Sequence, residues 1–496
     1  MTDPPAAPQL QGRSRSILFN ASTLIIASLI SRGLSIPLTV LLLRVMEKEA
    51  FGAYSYLTSF VQLFAALATL GLPTYLSREI VQQPKDAPML LKGAYLIELL
   101  LSVGTVLLIL LVGQGSQASY SPWLLFLCAL GMVASATAGL FQYTINGLGR
   151  STITAAIQVT STLVNSIGLL LVLLLRPQLD ALIILYAFSG IFQHLLTYLL
   201  FRRFFPDYVS SKTMPTLPQL KKVFQESLPY VFLVAFTTIY FRIDTVLLER
   251  WSTIDAVANY SAAYKFIDIV QQIVGLVGGV FFAEFSNMQA RGEDVNRVMK
   301  RGFRYMVLFA LPLTALLIFY AHDILYLFYG NKYLQSTGIL QLLGWTTLFM
   351  FASNLQSNLI QSYNYVRVQL IVFGSSMVLN VVLNYFLIPT QGGSGAALAT
   401  LLCEGFNFLA FSAFVYWRFK VQLFGAWMLP TSAAFLAMGI LMSLCGNLPE
   451  PFNLISIVLG PVAFFAIFAA LGGVKSEDLV LLRSLIAKVS RRPSAP

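Results

Sequence analysis

Fourteen long apolar stretches dominate the chain, at about residues 17–43, 50–76, 90–113, 121–146, 152–175, 179–204, 223–249, 257–285, 303–328, 336–362, 366–388, 395–419, 424–445 and 451–474. Each has the ~20 residues a helix needs to cross a bilayer. Polar residues collect in the gaps, and the bases among them favour alternate gaps. Of the 32 Lys and Arg, 24 fall on one side, among them Arg13, Arg78, Arg150, Arg202, Arg297, Arg301, Arg418 and Arg492. The other side holds five: Arg44, Lys48, Arg176, Arg250 and Lys332. A helix wrongly added or omitted would scramble that split. The pattern predicts an all-α polytopic membrane protein of 14 transmembrane helices with both termini cytoplasmic.

The formal charge of +11 would suggest a nucleic-acid partner in a soluble protein. Here the loop sorting accounts for it, with anionic lipid of the inner leaflet as the expected partner and no nucleic acid. The longest hydrophilic connections, about 205–222 and 286–302, are too short to fold alone. Cys128, Cys403 and Cys445 all lie in apolar stretches, so neither a disulfide framework nor a metal site is expected. The first stretch is too long for a signal-peptide core, and the N-terminus is expected to be retained. The tail after Lys475 reads as an amphipathic cytoplasmic helix, and Leu220–Phe224 as an interfacial one.

The chain also repeats itself. Thr39-Val40-Leu41-Leu42-Leu43-Arg44 returns 206 residues on as Thr245-Val246-Leu247-Leu248-Glu249-Arg250. At the same offset Tyr54-Ser55 meets Tyr260-Ser261, and Phe60 meets Phe266. A six-helix unit is even in number, so both copies enter the membrane in one orientation. The two lobes should then be related by a pseudo-two-fold axis along the membrane normal. The division expected is an N-lobe at 1–210, a C-lobe at 211–422, and helices 13–14 with the tail at 423–496, with the substrate site in the cleft between lobes.

Three bases escape the loop sorting: Arg32 in stretch 1, Arg242 in stretch 7 and Lys265 in stretch 8. A charge at bilayer depth costs at least about 2.5–3.5 kcal/mol and normally faces a bundle interior or a wet cavity. Arg suits bidentate phosphate contacts and Lys adds a point charge, so the three are candidates for an anionic substrate. The alternative is internal pairing, with Asp244 near Arg242 and Asp268 three residues from Lys265. Asp244, Asp268, Glu98 and His194 are candidates for ion coupling, to H+ or Na+, or for counter-charge. No cofactor is expected.

Asn380-Val-Val-Leu-Asn384-Tyr-Phe-Leu-Ile-Pro389, followed by Gly392-Gly393-Ser394-Gly395-Ala396-Ala397-Leu398-Ala399-Thr400 and Glu404, resembles a signature of the polysaccharide and oligosaccharide-lipid flippases. These belong to the multidrug/oligosaccharidyl-lipid/polysaccharide exporter superfamily. Phe241-Arg242-Ile243-Asp244, Tyr260-Ser261-Ala262-Ala263-Tyr264-Lys265 and Ser31-Arg32-Gly33 agree with it. The resemblance implies a V-shaped, two-lobed transporter of the bacterial cytoplasmic (inner) membrane. Such a protein flips an undecaprenyl-diphosphate-linked saccharide, a polyprenyl-diphosphate-linked one, from the cytoplasmic to the periplasmic face and works beside polysaccharide polymerase and export machinery. Arg32 is similar in context to a first-helix arginine of lipid II flippases. Stretch 1 lacks the acid that drug-exporting relatives often keep.

The leading reading is therefore a lipid-linked oligosaccharide flippase for surface polysaccharide such as O-antigen, capsule or exopolysaccharide, not an enzyme. A lipid II flippase needs the same diphosphate clamp and is the nearest alternative. A multidrug antiporter follows, although three cavity bases have the wrong sign for cationic drugs. A membrane glycan polymerase or glycosyltransferase comes last, because the outer loops are short and 113–121 has no acid or base apart from a tyrosine.

Overall fold

With no water in the hydrocarbon layer, backbone polar groups must be satisfied within the chain, and apolar runs of this length do so as helices. The computed structural model describes residues 9–82, 86–113, 120–210, 215–446 and 455–474, and no strand occurs among them. The tail after Lys475 lies outside the described residues. Stretch 1 lies in α1 (Gln9–Val45), and stretch 2 is divided into α2 (Lys48–Leu63), α3 (Ala65–Thr69) and α4 (Leu72–Gln82). Stretches 3 to 6 are α5 (Ala87–Gly113), α6 (Pro122–Gly147), α7 (Ser151–Leu175) and α8 (Leu179–Phe204). The short α9 (Pro206–Ser210) precedes α10 (Leu217–Trp251), α11 (Ile254–Arg291) and α12 (Asn296–Phe319). Then come α13 (Ala321–Tyr329), a 3-10 turn at Gly330–Ser336, α14 (Thr337–Ser362), α15 (Val366–Gln391), α16 (Gly393–Phe419), α17 (Met428–Gly446) and α18 (Ile455–Ala470). Among the described residues thirteen segments are long and apolar enough to cross a membrane. Stretch 14 is represented by the shorter α18.

Two features depart from the hydropathy pattern. Stretch 2 does not run as one helix. Leu70 and Gly71 take positive φ (47° and 66°), and a Cβ on Gly71 would come within 2.6 Å of Tyr230 Cβ on α10. The close approach of α10 requires the break, and only glycine adopts this backbone without strain. Nor is Leu220–Phe224 a separate interfacial helix. Thr216 and Gln219 form a capping box at the start of α10, the Thr216 N–H donating to Gln219 Oε1 at 2.8 Å. Val223 then lies in the same apolar cluster as Val231, so one face packs continuously into the span.

The chain packs as two compact units. The first runs to Ala262 and takes in Phe328–Tyr333 and Leu370–Ala399; the second holds Ala263–Leu327, Leu334–Gln369 and the chain from Thr400. In the first, α6 and α8 make the closest pairing: a Cβ on Gly190 would collide with the carbonyl of Gly131. Helix α10 packs against α2, α3, α4 and α5, which is why this unit extends past residue 210. In the second, α17 and α18 pack on each other and on α12, joined by Leu311, Ala315, Met438, Met442 and Phe464. Besides the apolar clusters, polar side chains such as Glu98, Asp244, Asn380 and Asn384 are buried while Leu100, Leu111, Leu174 and Leu175 are exposed, as expected of helices bathed in lipid.

Candidate functional site

The permanent cations come first, because a guanidinium at bilayer depth needs a reason. Arg32 lies on α1, where Nε and Nη1 are buried and without a hydrogen-bond partner among the described residues. Its flanks are pliant: Gly33 follows it, and Pro37 removes the backbone bond that would reach the Gly33 carbonyl. Arg242 lies half-buried on α10, within electrostatic reach of Tyr186 on α8, which is hydrogen-bonded to Gln62 of α2. Among the described residues Arg242 makes no ion pair. Lys265 differs. In the second unit it pairs with Asp268 one turn along α11, Nζ to Oδ2 at 3.5 Å, and Gln271 donates to the Tyr264 hydroxyl at 3.2 Å. Asp268 is thus the counter-charge of Lys265.

Asp244, two residues from Arg242, points elsewhere. Its Oδ2 accepts from the Tyr260 hydroxyl at 2.7 Å, and its Oδ1 from Asn384 Nδ2 at 2.7 Å. Asn384 Nδ2 also donates to Asn380 Oδ1 at 3.0 Å, leaving Asn384 Oδ1 and Asn380 Nδ2 buried without partners among the described residues. The two asparagines of the α15 signature therefore hold the α10 carboxylate. They also add oxygen atoms of the kind a hard cation prefers. The repeat is unequal here: the position matching Asp244 in stretch 1 is Leu38. Among the described residues no group of three or more His, Cys, Asp and Glu side chains could hold a metal ion.

Glu98 is fully buried on α5 with neither carboxyl oxygen bonded among the described residues. His194 is packed: its Nδ1 is 2.9 Å from Thr137 Oγ1, and its ring stacks on Tyr95 and meets Phe141 edge-on. Thr137 Oγ1 also lies 3.0 Å from the carbonyls of Val133 and Ala134, so its one hydroxyl proton is shared among three acceptors or the imidazole donates, according to the His194 tautomer.

The sequence reading missed a clasp at one end of the first unit. Lys332 Nζ donates to three carbonyls at the end of α1: Leu43 (3.3 Å), Arg44 (2.7 Å) and Met46 (2.6 Å). Arg44 Nε answers by donating to the Phe328 carbonyl at 2.7 Å. Lys48 pairs with Asp255 at 2.8 Å, and Phe51 meets Tyr333 edge-on. Gly52 lets the backbones touch, since a Cβ there would lie 2.5 Å from the Ile254 carbonyl. The end of α1 and the start of α2 are thus fastened to the start of α11 and to the 3-10 turn, all within the first unit. A signal was present: three of the five bases on the sparsely charged side build this clasp.

The profile of a family described as "Polysaccharide biosynthesis protein" matches residues 17–289, and that of the MatE family matches 229–386. An uncharacterized membrane protein of Methanocaldococcus jannaschii is 22% identical over 229 residues, 45% of this chain and 43% of that protein. The chain thus spans under half the length of that relative. Among solved structures, the lipid II flippase MurJ in an inward closed conformation superposes with a TM-score of 0.73 at 16% identity, covering 93% of this chain and 99% of MurJ. An inward-facing multidrug resistance MATE transporter gives 0.63 at 13% identity over 81% of this chain and 98% of its own. A superfamily transporter from Pyrococcus furiosus, described as having a binding pocket of reversed polarity, gives 0.58 at 13% over 82% and 96%. The chain is a multi-pass membrane protein that belongs to the polysaccharide biosynthesis protein family, within the multidrug/oligosaccharidyl-lipid/polysaccharide exporter superfamily.

Proposed function

We propose that the protein flips a polyprenyl-diphosphate-linked oligosaccharide across the bacterial cytoplasmic membrane, from its cytoplasmic to its periplasmic face, for surface polysaccharide assembly. The observation that carries this reading is Arg32, whose guanidinium Nε and Nη1 are buried and unbonded among the described residues in a membrane-spanning helix. Arg242 is the second arm of the diphosphate clamp, and Lys265, tethered by Asp268, is the third base. The lobes at 1–210 and 211–422 rock about the substrate in alternating access, with helices 13–14 as an appendage. Opening outward requires the Lys332–Arg44 clasp to release. A membrane potential negative inside favours expelling an anion by about 2.3 kcal/mol per charge per 100 mV. The return step is coupled to H+ or Na+ taken up at Asp244, beside the unbonded Asn384 Oδ1. No bond of the substrate is broken. Periplasmic polymerase and export machinery then receive the product.

A lipid II substrate is the second reading, supported by the likeness to MurJ over nearly the whole chain. A cationic drug is disfavoured by the sign of the bases.

The test is surface glycan export in a host lacking its own flippase, supplied with wild type, Arg32→Ala, Arg242→Ala or Lys265→Ala at matched membrane levels. The expected result is export with wild type and loss with both arginine variants. Export by every variant would remove the clamp. Restored growth in a strain depleted of its lipid II flippase would favour the second reading.

A further inference from the structure

A set of carboxamides at membrane depth in the second unit serves none of the roles above. Helix α14 carries Asn354, Asn358 and Gln361 at spacings of four and three, so they share one face. Trp345 is exposed and lies nine residues before Asn354, which turns it about 180° away. The carboxamide face is therefore not the one that Trp345 presents to lipid. Asn358 Nδ2 donates to the carbonyl and to Oδ1 of Asn354, at 2.8 and 2.9 Å. Gly278 of α11 sits against the pair: a Cβ there would collide with Asn354 Oδ1 and come within 2.7 Å of Asn358 Nδ2. Both amides are thus fixed in orientation.

A donor and an acceptor then stand open side by side. Asn354 Nδ2 and Asn358 Oδ1 are neither buried nor hydrogen-bonded among the described residues. On α11, Gln272 is half-buried, and its carboxamide is likewise unbonded among the described residues. It shares a helix face with Lys265 and Asp268, at spacings of three and four. Beside it the helix surface is bare: a Cβ on Gly275 or on Gly279 would meet nothing within 4 Å. From Lys265 to Gly278 the helix rises about 20 Å, the length of several sugar rings. Polar side chains at this depth normally face a bundle interior or a wet cavity.

We propose that this strip is a saccharide subsite for the transported lipid, an inference that rests on the flippase reading above. A sugar hydroxyl both accepts and donates, and so does an acetamido group. The Asn354–Asn358 pair offers the matching donor and acceptor on a rigid base. Gln272 meets a ring nearer the diphosphate, whose third base is Lys265. The charges of the strip, Lys265 and Asp268, pair with each other at 3.5 Å, so the amides select neutral sugars.

The test is native mass spectrometry of the full-length protein in detergent, titrated with two lipids: undecaprenyl diphosphate, and the same lipid carrying an N-acetylglucosamine tetrasaccharide. Wild type should hold the tetrasaccharide lipid about tenfold more tightly or better. Asn354→Leu/Asn358→Leu should lose about tenfold for that lipid, as expected of two neutral hydrogen bonds, and Gln272→Leu about threefold. Neither should change the affinity for the sugar-free lipid. Gln341→Leu, exposed on the far side of α14, should change neither affinity. Arg32→Ala should weaken both lipids alike. Equal affinity of wild type for the two lipids, an unchanged tetrasaccharide affinity in the asparagine variant, or equal loss of both lipids there, would overturn the proposal. Arg32-dependent binding of the sugar-free lipid would in that case leave the flippase reading standing. Binding of neither lipid by wild type would end that reading, and this inference with it. If the asparagine double variant does not fold, an unchanged tetrasaccharide affinity in Gln272→Leu overturns the proposal alone.

Discussion

Lys332→Ala should release the clasp. The ammonium donates to three carbonyls at 2.6–3.3 Å, at a helix end where the backbone dipole is negative. A hydrogen bond to a charged group contributes about 1.5–3 kcal/mol net. Lys332 is only half-buried, so water recovers much of what the second and third bonds supply. The net loss is then about 2 kcal/mol, a shift of about 30-fold in the ratio of unclasped to clasped chains. Lys48→Ala removes an ion pair whose Asp255 carboxylate is 48% exposed. Such pairs contribute about 0.2–1 kcal/mol, so that shift is at most about fivefold. The assay uses a single thiol at Met46, which is fully buried beneath the clasp, in a chain with Cys128, Cys403 and Cys445 changed to Ser. A membrane-impermeant maleimide then reads the unclasped fraction. Labelling should accelerate about 30-fold in Lys332→Ala and far less in Lys48→Ala. Equal rates in wild type and Lys332→Ala, or a larger effect from Lys48→Ala, would refute the reasoning.

Further outcomes follow from other contacts. Gly190→Leu must force α8 away from the Gly131 carbonyl, so it should cost about 1–3 kcal/mol or more and lower the melting temperature and the yield of folded protein. Asn384→Ala and Tyr260→Phe each remove a donor from the buried Asp244 carboxylate, and each should cost about 1.5–3 kcal/mol. Their double variant should be non-additive in a thermal-melt cycle, because both act on one carboxylate. At the membrane surface, the Asn296 side chain and backbone N–H hold the Asp294 carboxyl below its ordinary value of 3.8. The stabilisation this gives the first turn of α12 is present above pH 3.8 and is lost as pH falls through the lower folded value. Amide exchange in that turn should therefore lose its protection only in acid, and Asp294→Ala should abolish the pH dependence.

Hydropathy and loop charge placed the helices because the hydrocarbon layer imposes both patterns on the sequence directly. They could not find the break at Leu70–Gly71, which is set by the approach of Tyr230 from a helix 160 residues away. Arg32 and Arg242 were legible as costly charges at depth, and Asp268 as a helical neighbour of Lys265. The holder of Asp244 was not: Asn380 and Asn384 read as a motif, and only the packing of α15 on α10 shows what their amides grip. What Lys332 holds was hidden for another reason. Its partners are backbone carbonyls, which every residue carries, so no side-chain pattern marks them.

Flipping itself is the most direct test of the central claim. Purified protein would be reconstituted in vesicles with a fluorescent polyprenyl-diphosphate oligosaccharide, and exposure in the opposite leaflet followed with an impermeant quencher. The account predicts transfer well above protein-free vesicles, and background rates for Arg32→Ala and Arg242→Ala. Background transfer with the wild-type protein, or undiminished transfer with both arginine variants, would contradict it.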